Sequence, residues 1–252
     1  MPARGAASAA AAARGGASAS GDPSGARLLS GWGASGQPTT ILLLRHGATD
    51  LSAERRFAGR ADAALTKDGR KQATLAASRL AAGPGVDVIV TSPLQRARHT
   101  AEAVAEATGA PLVVEDGLVE ADFGAWEGLT FAEAGERWPD ELAAWMASPD
   151  AAPPDGESFA MVALRVLAAA DRLIEAHRHE RAVVVSHVTP IKTLVCRALL
   201  APPEAMFRMN LDVASLTLID CHDNGSAVLR SLNDTAHLQP RRRRGTWLPG
   251  RG

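Results

Sequence analysis

Three apolar runs of the sequence are each followed closely by a cationic or imidazole side chain. In chain order these side chains are Arg45 and His46 after residues 41–44, Arg96 after residues 86–90, and His187 after residues 182–185. Continuous runs of leucine and β-branched residues are typical of buried parallel strands. Because open α/β sheets bind ligands at the carboxyl ends of their strands, we expect these side chains to converge on one site.

Two arginines and two histidines at one edge of a sheet suit a dianionic phosphate. A neutral imidazole whose far nitrogen is held by a hydrogen bond can attack phosphorus. A protonated carboxylic acid can then supply the proton that the leaving oxygen needs. Glu120 follows the short predicted strand 112–114 and is the best-placed carboxylate, although the pattern alone does not separate it from Asp122 or Glu127.

Strand and helix patterns alternate along the middle of the chain. The predicted strands are residues 39–44, 86–90, 112–114, 182–185, 216–219 and 227–232. The predicted helices are residues 66–82, 93–108, 131–146, 158–177 and a helix that starts at Pro190 and ends before Pro202. This alternation predicts an α/β fold with three layers, α/β/α, around a mostly parallel central sheet.

Composition divides the chain into three parts. Residues 1–37 are mainly Ala, Gly, Ser and Arg, and such a segment buries too little apolar surface to fold, so we expect a disordered arm or linker. Residues 38–237 form the predicted domain. Residues 238–252 include four consecutive arginines, 241–244, and are interpreted as a flexible basic tail.

The overall composition argues against several classes of protein. The formal net charge of −1 is not that of a dedicated nucleic-acid or anionic-membrane binder. No segment has the roughly 20 apolar residues that span a bilayer. The alanine run 9–13 is too short and too weakly apolar for a signal peptide. These features predict a cytoplasmic protein.

Six segments, in order, resemble the motifs of the histidine phosphatase superfamily, in its phosphoglycerate mutase-like branch. They are LRHGAT at 44–49, LTKDGRKQA at 65–73, SPLQRARHTA at 92–101, EADFGAWEG at 120–128, PDGES at 154–158 and VSH at 185–187. The likeness is greatest to the acid-phosphatase domain of bifunctional ribonuclease H/acid phosphatase proteins and to α-ribazole phosphatases. It implies a phosphoglycerate mutase-like fold.

The resemblance also implies roles for five matching residues. His46 would be phosphorylated, while Arg45, Arg96 and His187 would hold the phosphoryl oxygens. Glu120 would be the proton donor. Members of the family need no metal and no cofactor. The expected activity is therefore a metal-independent phosphomonoesterase of the acid phosphatase type, acting on a small phosphorylated metabolite.

Further residues are expected to bind the substrate. These candidates are Thr49, Ser52, Gly59, Arg60 and Val188. Ser52 stands where many relatives have asparagine, and Val188 is part of a Val-Thr-Pro segment that replaces a common pair of glycines. Thr49 either contacts phosphate or only caps the following turn. Arg55 and Arg56 are candidates for binding a second anionic group of the substrate.

Other functions remain open from the sequence. One is an α-ribazole phosphatase of cobalamin biosynthesis, and another is a phosphoglycerate mutase, for which the segment between Gly128 and Pro154 is short. A binding module for phosphorylated ligands that has lost catalysis is disfavoured by the full set of catalytic residue types. An RNA-linked module would use the arginine run 241–244.

Overall fold

The protein, seen here as a computed structural model, is described over residues 36–239. The predicted arm, 1–37, and basic tail, 238–252, lie outside this range apart from two positions each. The strands are β1 (Thr39–Arg45), β2 (Val88–Thr91), β3 (Leu112–Val114), β4 (Arg181–Ser186), β5 (Leu216–Cys221) and β6 (Ala227–Asp234). The helices are α1 (Asp50–Ala53), α2 (Lys67–Ala81), α3 (Gln95–Thr108), α4 (Phe131–Arg137), α5 (Pro139–Ala147), α6 (Phe159–Ala176) and α7 (Val188–Leu199).

The three strands that precede the candidate site are adjacent and parallel. The sheet has the order β3-β2-β4-β1-β5-β6, in which β5 alone runs in the direction opposite to that of the other five strands. Leu44 of β1, Val185 of β4 and Thr91 of β2 lie in one row across the sheet. The residues that follow these strands therefore emerge side by side, as the sequence predicts.

Each face of the sheet is covered by helices, which confirms the three-layer α/β/α prediction. Alternate strand residues point to opposite faces. On one face Leu42, Leu44 and Val183 pack with the buried alanines of α2 and α3. On the other face Leu43 and Val184 join the apolar sides of α6 and α7 and a cluster of aromatic residues.

Three predicted helix boundaries are wrong, and each lies near a proline. The helix predicted over 131–146 is two helices, because the residue before a proline is disfavoured in the α conformation and Trp138 precedes Pro139. Pro93 lies before α3, which begins at Gln95. Pro190 is the third residue of α7, where its missing N–H has no intrahelical partner to lose.

Within residues 36–239, no helix combines the length and the apolar character that crossing a membrane requires.

Candidate active site

A cavity of about 260 Å³ opens at the carboxyl edge of the parallel strands. Polar and charged residues line one part of it: Arg45, His46, Ser52, Arg56, Arg96, Glu120, Thr189 and Lys192. Apolar residues line the rest: Phe57, Ala58, Phe123, Trp145, Phe159, Val188, Met206 and Phe207. The position matches the expected place of a ligand in an open α/β sheet.

His46 is held as a neutral imidazole with one nitrogen free. Its Nδ1 lies 2.7 Å from the carbonyl oxygen of Gly47, and since a carbonyl only accepts, Nδ1 carries the hydrogen. Burial lowers the pKa of His46 well below its ordinary value of 6.5, and the positive charges of Arg45 and Arg96 lower it further. The lone pair of Nε2 is therefore available at neutral and mildly acidic pH.

Arg96 and His187 form one hydrogen-bonded unit next to His46. The Nε–H of Arg96 donates to Nδ1 of His187 over 3.2 Å, so the Nε2–H of His187 donates to Ser92 Oγ, at 2.7 Å. The rings of His187 and His46 are 5.1 Å apart between centroids. His187 is fully buried, and burial, followed by the charge of Arg96, lowers its pKa well below 6.5.

Backbone carbonyls, rather than carboxylates, orient both arginines. Arg96 donates to the carbonyl oxygens of Ala61 at 2.6 Å and Gly59 at 2.7 Å. Arg45 donates to the carbonyl of Leu211 at 2.5 Å. Burial lowers the pKa of Arg45 and of Arg96, while Glu120 acts on both in the opposite direction. Of the five N–H groups of Arg96, two are left for a ligand.

Glu120 lies in the cavity wall, opposite the first turn of α7. Its Oε1 accepts the backbone N–H of Ala121 at 2.8 Å and that of Thr189 at 3.2 Å. Its Oε2 has only a 3.5 Å contact with Thr189, and is thus the oxygen that a transferable proton would occupy. Neither Asp122 nor Glu127 lines the cavity, so geometry separates the three carboxylates that the sequence left as alternatives.

Arg165, on α6, fixes the backbone that carries Glu120. Its guanidinium donates to the carbonyl oxygens of Gly117 at 3.0 Å, Val119 at 2.6 Å and Glu120 at 2.9 Å. It also pairs with both carboxylate oxygens of Glu157, at 3.1 and 2.9 Å. The sequence interpretation missed this residue, and its only signal was an arginine among the apolar positions of α6.

The remaining predicted substrate-binding residues fall into two groups. Ser52 and Val188 line the cavity. Thr49, Gly59 and Arg60 do not, and neither does His187, which was expected to hold phosphoryl oxygens but has both ring nitrogens bonded to Arg96 and Ser92. Thr49 is buried and its hydroxyl accepts the N–H of Ser52 as the cap of α1, which is the capping alternative. Arg60 pairs instead with Glu157 at 3.1 Å and Asp122 at 3.7 Å.

The cations near the cavity mouth also differ from expectation. Arg55 does not line the cavity. Arg56 does, but its guanidinium is paired with Glu54 at 2.7 Å and Glu133 at 2.8 Å. Lys192, which the sequence interpretation did not single out, lines the cavity from α7. The sequence interpretation also missed the aromatic residues that line the cavity, because they come from five separate segments. They are Phe57, Phe123, Trp145, Phe159 and Phe207.

Taken together, these groups are suited to handle a phosphate monoester. The neutral imidazole of His46 has a free nitrogen, and the guanidinium groups of Arg45 and Arg96 and the carboxyl group of Glu120 line the same cavity. Phosphoryl transfer needs little more than positioning and neutralisation of charge. Within residues 36–239, no three His, Cys, Asp or Glu side chains are grouped as metal ligands would be.

Comparisons with known proteins agree with this geometry. Residues 41–235 match the family model of the histidine phosphatase superfamily (branch 1). Bifunctional protein Rv2228c of Mycobacterium tuberculosis is 47% identical over 209 residues, which are 82% of this chain but only 57% of that protein. This chain therefore spans little more than half the length of that relative.

Two further relatives match over nearly their full length. Phosphoserine phosphatase 1 of Hydrogenobacter thermophilus is 32% identical over 199 residues, covering 79% of this chain and 93% of that protein. The solved structure of the α-ribazole phosphatase from Shigella flexneri superposes with a TM-score of 0.70 at 29% identity, covering 78% of this chain and 96% of that one. The chain belongs to the histidine phosphatase superfamily, branch 1.

Proposed function

We propose that this protein is a phosphomonoesterase of the acid phosphatase type that hydrolyses a small phosphorylated metabolite through a phosphohistidine on His46. The observation that carries the proposal is the state of His46: Nδ1 donates to the Gly47 carbonyl, and the lowered pKa leaves Nε2 unprotonated in a cavity that Arg45 and Arg96 also line. The names of the phosphoserine and α-ribazole phosphatases support the same reaction type.

In the first step, Nε2 of His46 attacks phosphorus and the bond between phosphorus and the ester oxygen breaks. Glu120 gives its proton to the departing oxygen, so that the alcohol leaves neutral. Arg45 and Arg96 offset the negative charge on the phosphoryl oxygens, a role that we assign to these side chains rather than to a metal ion. His187 orients the Arg96 fork through the bond to Nε.

In the second step, water attacks the phosphorus of the phosphohistidine. The Glu120 carboxylate accepts a proton from that water while the bond between phosphorus and Nε2 breaks. Inorganic phosphate leaves, and both His46 and Glu120 return to their starting protonation states. Because the cycle starts from a protonated Glu120 and a neutral His46, we expect activity to be highest at mildly acidic pH.

Replacement of the nucleophile tests the proposal directly. We expect H46A to abolish turnover of aryl and alkyl phosphates, and wild-type enzyme quenched during turnover of a ³²P-labelled ester to carry acid-labile label on histidine. H99A is the matched control, because His99 is an exposed histidine on α3. Label on another residue type, or full activity in H46A, would refute the mechanism.

The proton donor is tested by the choice of leaving group. We expect E120Q to slow alkyl phosphates roughly 10²- to 10⁴-fold, because an alkoxide needs a proton in order to leave. Activated nitrophenyl phosphates should be much less affected, since nitrophenolate leaves unprotonated. Equal losses on both kinds of substrate would remove Glu120 from this role.

The substrate is to be identified by a panel of phosphorylated metabolites that includes O-phosphoserine and α-ribazole phosphate. The same panel should contain 3-phosphoglycerate with 2,3-bisphosphoglycerate, which separates hydrolysis from isomerisation. We expect release of inorganic phosphate without isomerisation. Formation of 2-phosphoglycerate would favour a mutase, and absence of turnover on every ester would favour a binding module.

A further inference from the structure

The cavity contains two cations that the proposed reaction does not use, Arg56 and Lys192. Lys192 is half-buried in the cavity wall, and its ammonium forms no hydrogen bond or ion pair with any residue in the range 36–239. Arg56, by contrast, already has two carboxylate partners, Glu54 and Glu133. The Nζ of Lys192 is not among the buried atoms that lack a partner, so the ammonium keeps contact with solvent and has three donors available to a ligand in the cavity.

The place of Lys192 on α7 defines which part of a substrate it would meet. Val188 and Thr189 begin the helix, and the N–H of Thr189 holds Glu120. Lys192 follows Val188 by four residues, so it lies on the same helix face and about 6 Å further along the axis. The leaving oxygen must lie next to Glu120. A leaving group that continues along α7 therefore reaches Lys192.

The surroundings of Lys192 favour an anionic group over a neutral one. Met206 and Phe207 line the same cavity and offer no charge or hydrogen bond to the ammonium. Burial lowers the pKa of Lys192, and the positive charge of Arg45 lowers it further, while Glu120 raises it. A bound anion would offset this penalty. Lys192 supplies a single positive charge, which a carboxylate matches and a second dianionic phosphate would exceed.

We infer that Lys192 is a specificity-determining residue that binds a carboxylate on the leaving-group side of the substrate. The preferred substrates are then phosphate monoesters of hydroxy acids, with the carboxylate about one helical turn from phosphorus. This assignment rests on the proposed function and deepens it, because it names the substrate class of the same site.

The test compares two esters that differ only in charge: 3-carboxyphenyl phosphate and 3-carbamoylphenyl phosphate. We expect the wild-type enzyme to favour the carboxylate roughly 10- to 100-fold in kcat/KM, the range of a hydrogen bond to a charged group. K192Q should lose this preference by slowing only the carboxylate ester, while K192R should keep most of it. K71Q is the control, because it removes the same charge from the exposed surface of α2.

Each other outcome has a definite meaning. No preference in the wild-type enzyme, or a preference that K192Q leaves intact, would overturn the assignment. An equal loss on both esters in K192Q would also overturn it, because Lys192 would then act on the phosphoryl group or on the fold. If the wild-type enzyme hydrolyses neither ester nor any other phosphate monoester, the proposed function itself fails.

Discussion

Replacement of Arg165 by methionine should both destabilise the fold and displace Glu120, the proposed proton donor. The variant keeps the length of the apolar stem but leaves Glu157 and the carbonyls of Gly117, Val119 and Glu120 without their common donor. The side chains of Arg165 and Glu157 are only 21% and 14% exposed. Removing one partner of a largely buried pair costs about 3–5 kcal/mol. We expect a loss near the lower end, because both groups keep some contact with water.

The matched control lies two turns along the same helix. Arg172 pairs with Glu115 at 2.8 Å, but its side chain is 61% exposed, so R172M should cost less than about 1 kcal/mol. Urea unfolding of both variants measures this difference. Kinetics then test positioning: well below the unfolding transition, R165M should slow alkyl phosphates more than nitrophenyl phosphates. Equal destabilisation by R165M and R172M, or equal loss on both kinds of ester, would refute the reasoning.

Two further predictions concern stability. The pKa values of His46 and His187 are lowered, so below about pH 6.5 the unfolded chain binds protons that the folded protein does not. The stabilising contribution of the two neutral histidines should therefore be fully present above pH 6.5. Below pH 6.5 the free energy of unfolding should fall by about 1.4 kcal/mol per pH unit for each histidine. In urea unfolding between about pH 5 and 7, H46Q should reduce the slope by one such increment, and an unchanged slope would contradict this. A Cβ added at Gly69 would lie 2.0 Å from the Ala48 carbonyl oxygen, so G69A should lose about 1–3 kcal/mol. In the same assay G135A, inside α4 with a flexible side-chain atom as its nearest neighbour, should lose nothing, and a G69A variant as stable as wild type would disprove the backbone contact.

Much of the site could be predicted because several of its residues directly follow strands. Arg45 and His46 come immediately after the buried run of β1, and His187 comes immediately after that of β4. The order of parallel strands then determines that these positions are adjacent. The same reasoning identified the helix that carries Arg96, although its first residue was placed two positions too early.

The other walls of the cavity could not be predicted in this way. The residues of these walls come from irregular segments, from single positions on α5 and α6 and from three positions on α7, and no local periodicity links Phe57 to Trp145 or Phe207. Lys192 lies among apolar residues of α7, where a lysine is usually interpreted as exposed. Arg165 has the same ambiguity on α6. In each case the role depends on contacts between elements that are distant in sequence.

The way in which the arginines are held explains how a buried positive site can serve a dianion. The carbonyls of Gly59, Ala61 and Leu211 orient Arg96 and Arg45, and within residues 36–239 neither guanidinium forms an ion pair that a phosphate would have to displace. A carboxylate partner would compete with the ligand. Among the described residues that line the cavity, Glu120 is the one carboxyl group, and in the proposed reaction it lies on the side of the leaving group. The proposed reaction thus places positive charge at the phosphoryl oxygens and a single carboxyl group at the ester oxygen, and the backbone carbonyls that hold the arginines make this separation possible.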